Sequence, residues 1–164
     1  MRLPPGYELE NVWAHKDSAL RSEIVDFWIA SGALRSRERA GARVDQVIFV
    51  VRRAGSIAGV STVFRKRDER IGQEFYNFRC FVAEEDRRYN LGAVLLVTVR
   101  DYLNERFVSG EDTSAVGMLV EIENERLKRK RNQAVWPISG MVYVGNNRRG
   151  DHVRVWYFTG ARIR

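Results

Sequence analysis

The stretch from Gln73 to Ile122 constrains the fold more than any other. Gln73 to Val82 reads as a strand, with Phe75, Tyr76, Phe78 and Phe81 supplying aromatic bulk. Val82 to Gly92 is a polar loop. Ala93 then opens a helix that reaches Phe107, with Leu95, Leu96, Val99, Tyr102 and Leu103 on its apolar face. Val116 to Ile122 is a further strand of the buried type. A strand led through a helix into the next strand of one sheet makes a parallel pair with a right-handed crossover.

The flanks read as other elements. Asp17 to Ser31 is an amphipathic helix, with Leu20, Ile24, Phe27 and Trp28 at helical spacing, Asp17 or Ser18 as N-cap and Gly32 after its end. Ala33 to Ala42, rich in Arg and Glu, is a second helix. Val47–Val51 and Ile57–Phe64 form a hairpin around Arg52–Gly55, and Lys66–Gly72 turns the chain into the third strand. After the crossover, Glu123–Ala134 is a charged helix broken by Pro137. Met141–Val144 and Val153–Phe158 close as a second hairpin with Asn146–Asp151 at its tip. The expectation is an α/β (α+β) fold whose mixed sheet is antiparallel at first and parallel in the middle, with helices on both faces. The 164 residues, without repeat or linker, suit a single domain over 1–164.

Composition removes several classes of function. Cys80 is the only cysteine, which excludes a disulfide framework and a thiolate zinc site, and with His15 and His152 as the only histidines no metal centre is expected. No run approaches the ~18–20 apolar residues of a membrane helix, and the N-terminal residues lack the apolar core of a signal peptide. A cytoplasmic protein without membrane contact is expected. The net charge of +7 and the basic run Lys128–Arg131 raise nucleic acid as a partner. The competing reading is a solvated, basic helix end, and Arg148 and Arg149 at the hairpin tip stand under the same alternative.

The loop Val82–Gly92 carries the chemistry. It joins a strand to the first turn of a long helix, where backbone N–H groups lack partners and the helix dipole favours an anion. Asn90 and Gly92 can adopt the left-handed backbone that turns successive amides into one concavity. Arg87 and Arg88 add positive charge.

Here the chain resembles the GNAT acyl-CoA-dependent N-acyltransferases. Their pyrophosphate loop follows Gln/Arg-x-x-Gly-x-Gly/Ala, and Arg87-Arg88-Tyr89-Asn90-Leu91-Gly92 fits it with Asn90 in place of the first Gly. Leu119–Leu127, with Asn124, resembles the next strand and Asn-bearing helix of the family. Gly140–Gly145 resembles its Leu-Gly-Phe stretch, and the likeness spans Val47 to Phe158.

The resemblance implies a mostly antiparallel sheet with a central, splayed parallel pair. It implies that Arg87, Arg88, Tyr89, Asn90, Leu91, Gly92 and Ala93 cradle the pyrophosphate of acetyl-CoA or another acyl-CoA. Phe81, Val82 and Ala83 would line the pantetheine arm, and Asn124 would help to position it. A small-molecule or peptide amine would attack the thioester directly, and a homodimer is compatible with the family. The position matching the family base is Tyr76; Glu74 lies one step further along that strand face, and Glu121 and Glu123 are rivals. Trp136 stands where many members carry an acidic Tyr, which shifts that role to Tyr143, to unassisted departure of the thiolate, or to a CoA-binding domain without turnover. Cys80 as a nucleophile lacks a neighbouring His in sequence and reads as inert packing.

Overall fold

The structure is a computed structural model that describes residues 2–163; Met1 and Arg164, which the expected domain span includes, lie outside them. Among the described residues, seven strands form one sheet in the order β1-β2-β3-β4-β5-β7-β6. The elements in chain order are β1 (Tyr7–Asn11), α1 (Ser18–Ala30), α2 (Arg37–Arg43), β2 (Val47–Arg53), β3 (Ser56–Asp68), β4 (Gln73–Val82), α3 (Leu91–Val108), β5 (Gly117–Ile122), α4 (Glu125–Lys130), β6 (Val142–Asn146) and β7 (His152–Tyr157). β4 and β5 pair in parallel; β1–β2, β2–β3, β5–β7 and β6–β7 pair antiparallel. The parallel pair is the one that the strand–helix–strand stretch implies, and the mostly antiparallel remainder is what the resemblance implies. The described residues pack as two compact units, one of 2–63 with 80–99, the other of 64–79 with 100–163.

In the first unit, Asp17 caps α1 by accepting the Leu20 N–H at 2.8 Å. Ile24 and Trp28, one turn apart, bury against Ala40 of α2 and against Val47, Val50 and Val60. Val47 and Val50 share this face despite an odd spacing. The register jumps from Val47↔Thr62 to Phe49↔Ser61, so a bulge reverses the parity of β2. On the opposite face of β3, a Cβ at Gly59 would lie 3.6 Å from Leu95 of α3. Helices therefore cover both faces of this part of the sheet, and β2 and β3 are buried on both.

The second unit has its own cluster of Phe75, Leu119, Val153 and Val155. At Gly117 a Cβ would run into the Trp156 carbonyl oxygen; β5 reaches β7 there only because the side chain is absent.

Several boundaries differ from expectation. β1 was not foreseen. α2 begins at Arg37 because Ser36 accepts the Arg39 N–H, which leaves 33–35 as connection. The loop 82–92 contains a 3-10 turn over Glu84–Tyr89, and α3 opens two residues early, at Leu91. The charged helix shrinks to α4. Asn124 caps its start through the Leu127 N–H, and at its end the Arg131 carbonyl is taken by the Trp136 indole N–H (2.8 Å) and the Arg154 guanidinium (3.2 Å).

Candidate functional site

In the first unit, β4 ends at Val82 and the 3-10 turn Glu84–Tyr89 leads to Asn90, which sits in the left-handed region at φ 60°, ψ 25°. The Asn90 carbonyl accepts the N–H groups of Ala93 (3.0 Å) and Val94 (3.3 Å) and so starts α3. The Asn in place of the family's Gly thus has the backbone that its position requires. Gly92 lies beside Cys80, and a Cβ there would be 3.6 Å from the sulfur, ordinary contact distance, so Ala would also fit. Arg87, Arg88, Tyr89 and Asn90 are exposed, whereas Leu91 is fully buried and Gly92 and Ala93 are half-buried.

Two contacts hold the loop to the strand it leaves. Arg87 donates from Nε to the Val82 carbonyl at 3.1 Å, and its guanidinium lies 5.6 Å from the Phe81 ring centre. Phe81 is half-buried, edge-on to Phe27, and Val82 and Ala83 are buried. Arg88 stacks over Tyr89 at 4.7 Å.

A third contact had no part in the sequence reading. Asp86 is buried and pairs with Arg53 at 2.8 Å, while the Tyr7 hydroxyl donates to the same carboxylate at 2.5 Å. Burial and the hydrogen bond to Asp86 push the Tyr7 hydroxyl up to about 12. Tyr7 also packs its ring on Tyr89 at 5.5 Å. One strand and one arginine therefore pin the turn and neutralise the acid closest to its centre. The signal was available in Tyr7-Glu8-Leu9-Glu10, which alternates apolar and charged residues.

Cys80 is exposed rather than part of the core, which corrects the packing expectation, while desolvation pushes its thiol up to about 11, in keeping with an inert side chain.

In the second unit, the parallel register runs Tyr76↔Met118, Asn77↔Leu119, Phe78↔Val120. β4 then continues through Arg79 to Val82, and β5 through Glu121 to Ile122. The Tyr76 hydroxyl donates to Asp112, with Ser114 at 3.4 Å. Burial, reinforced by that hydrogen bond, raises the Tyr76 pKa. Burial opposes ionisation of Asp112, but hydrogen bonds from Ser114 and Tyr76 outweigh it and lower its pKa. Glu74 is half-buried, and its carboxylate has neither hydrogen bond nor ion pair among the described residues.

Tyr143 donates to Asn146 at 2.9 Å. It stands in the cross-strand row Phe78, Val120, Arg154, Tyr143. Three strand spacings, ~14 Å, separate the ends of that row. Asn124 is exposed and its Oδ1 is spent on the cap of α4, which leaves its N–H groups free to donate outward. Arg154 is a buried cation that sequence reasoning missed. It is 1% exposed, lies 4.5 Å from the Trp136 ring centre, and donates to the Ala134 and Arg131 carbonyls while its Nε has no partner. Desolvation lowers its pKa.

Phe81, Val82, Ala83 and Arg87–Ala93 thus belong to the first unit, and Glu74, Tyr76, Asn124 and Tyr143 to the second. No helix among the described residues is long and apolar enough to cross a membrane.

No family model matches the chain, and no curated protein does. Solved structures do. An acetyltransferase of the GNAT family from Streptococcus pneumoniae aligns over 93% of this chain and 99% of its own at TM-score 0.65 and 13% identity. Ribosomal-protein-S5-alanine acetyltransferase from Vibrio fischeri aligns over 96% of each chain at TM-score 0.59 and 11% identity. A GNAT-family acetyltransferase from Brucella melitensis, in complex with acetyl-CoA, aligns over 96% of this chain and 91% of its own at TM-score 0.53 and 13% identity. The mostly antiparallel sheet with one parallel pair is the architecture that aligns with them, and the fold of this chain is the GNAT fold.

Proposed function

We propose that the protein is an acyl-CoA-dependent N-acyltransferase, acting as one domain, that moves an acetyl group from acetyl-CoA to a small-molecule or peptide amine. The observation that carries this reading is the junction after β4. A 3-10 turn, a left-handed Asn90 and the first amides of α3 follow one another where Arg87-Arg88-Tyr89-Asn90-Leu91-Gly92 resembles the family's pyrophosphate loop. The residues fit a pyrophosphate. The turn is open to solvent from Arg87 to Asn90, its amides precede an 18-residue helix, and the buried acid beneath it is neutralised by Arg53.

In this reading Arg87–Ala93 hold the pyrophosphate. Phe81, Val82 and Ala83 line the pantetheine arm along the part of β4 beyond its last registered partner, Phe78. Asn124 donates to the arm from its free amide N–H. Bound acyl-CoA supplies the activated thioester carbonyl. This chain must take a proton from the incoming ammonium group. Tyr76 and Tyr143 each direct their hydroxyl to a neighbour, so among the sequence candidates the open carboxylate of Glu74 and its rival Glu121 suit that role better.

Calorimetry tests the reading. Acetyl-CoA is expected to bind with micromolar affinity, and an absence of heat at millimolar cofactor overturns it. Thiol release over a panel of amines then separates transfer from mere binding. A second reading, cofactor binding without turnover, draws on Trp136, whose N–H is already committed to Arg131. Tight acetyl-CoA binding with no thiol release on any amine selects it.

A further inference from the structure

The second unit contains a cavity of about 390 Å³ that the cofactor reading does not use. That volume is in the range of small-molecule sites. Its wall and floor come from the end of β3 and the turn that follows it, from the middle of β4, from the end of β5 and from the tip of the β6–β7 hairpin. The floor bears Asn77 and Glu121. The register Asn77↔Leu119 and the two-residue period of a strand put Asn77 and Glu121 on one face of the sheet. Glu121 stands one residue beyond Val120, the last β5 position paired with β4.

The charges around this cavity are of two kinds. Lys66, Arg67 and Arg148 have no hydrogen-bond or ion-pair partner among the described residues. Arg70 is by contrast satisfied, since it binds Asp68 at 2.7 Å and the Asn146 carbonyl at 3.0 Å. The rim therefore offers three uncommitted cations, with the exposed Glu69 as the opposing charge. The floor offers acceptors. Asn77 spends its N–H on the Phe75 carbonyl at 3.3 Å, which leaves Oδ1 to accept. Glu121 shares Arg149 with Glu123 and Asp151, at a long 3.4 Å, so most of its lone-pair capacity is open.

We propose that this cavity is the acceptor site and that it takes a small zwitterion, a primary ammonium and an anionic group in one molecule. The inference rests on the transferase reading and deepens it. The ammonium sits on Glu121 and Asn77, and the anionic group meets Lys66, Arg67 and Arg148. Neither charge type alone satisfies both ends: a neutral amine leaves the three cations unused, and a diamine brings a second positive charge towards them. Phosphate and carboxylate share the chemistry, and forked guanidinium groups suit both.

The test uses the full chain and four amines of similar size: O-phosphoethanolamine, β-alanine, ethanolamine and ethylenediamine. Binding is followed by NMR shifts of the amides at 66–70 and 147–148 without cofactor, and thiol release is measured with acetyl-CoA. The proposal expects one or both zwitterions to bind and to be acetylated at least tenfold more efficiently than ethanolamine or ethylenediamine. The phosphate and carboxylate arms identify the source of the anionic group. Lys66→Ala/Arg67→Ala/Arg148→Ala is expected to raise KM for the preferred zwitterion at least tenfold, leaving kcat and acetyl-CoA binding within a factor of two. These three surface side chains have no structural partner, so the variant folds. A zwitterion that binds and shifts these amides but releases no thiol upholds the cavity and overturns the transferase reading. Equal thiol release from all four amines, or indifference to the triple substitution, overturns the cavity and leaves the transferase reading standing. Absence of zwitterion binding at 10 mM overturns the proposal.

Discussion

Asn90 shows how one residue decides the shape of a loop. At φ 60° most side chains clash with the backbone, whereas Asn and Gly do not. Asn90→Gly is expected to keep stability within about 1 kcal/mol and to retain acetyl-CoA binding. Asn90→Val, β-branched at a left-handed position, is expected to cost about 1–3 kcal/mol and to weaken acetyl-CoA at least tenfold; thermal unfolding and calorimetry read the two effects. Asp112 is the second telling residue. Its pKa is lowered, so the folded state prefers the charged form. Its contribution is therefore present above the unfolded value near 3.8 and is lost as pH falls through the lower folded value. Asp112→Asn is expected to destabilise by about 1–2 kcal/mol at pH 7, and the deficit should shrink below pH 4 in denaturant titrations. The role of Asn90 was legible, because Asn in place of the family's Gly can take the left-handed backbone. That of Asp112 was not, because it stood in an ordinary loop 36 residues from Tyr76.

At the scale of elements, periodic patterns identified what burial made periodic. β4, α1 and the α3 crossover were legible because their apolar residues repeat at the element's own spacing. β1 was missed because only Tyr7 and Leu9 carry the signal, and α4 was overextended because its end is set by Trp136 and Arg154 capturing one carbonyl. That capture is a tertiary event without a local pattern. β1 nevertheless has a function through Tyr7, which holds Asp86 under the loop. Tyr7→Phe removes this bond and is expected to increase hydrogen exchange at Asn90–Ala93 and to weaken acetyl-CoA several-fold. Where β5 meets β7, Gly117→Ala would force a Cβ into the Trp156 carbonyl. A loss of at least about 3 kcal/mol is expected in chemical denaturation.

At the scale of the whole molecule, the excess of positive charge divides into groups with different work. Arg53, Arg87 and Arg154 are held by internal acceptors; in the basic run Lys128 binds Glu125, the Gly150 carbonyl and Asp151, while Arg129 and Lys130 are exposed at the helix end. Lys66, Arg67 and Arg148, which line the cavity proposed for the acceptor, have no such partner among the described residues. The sequence disclosed the fold because strand–helix–strand order restricts topology. It disclosed the loop because a strand-to-helix junction has a chemistry of its own. It could not disclose the cavity proposed for the acceptor, which is assembled from four segments spread over residues 66–148. The most direct test of the account is amide hydrogen exchange with and without acetyl-CoA. It predicts that the cofactor slows exchange most at Arg88–Ala93, with smaller protection at Phe81–Ala83. Unchanged exchange at Arg88–Ala93 under saturating acetyl-CoA would contradict it.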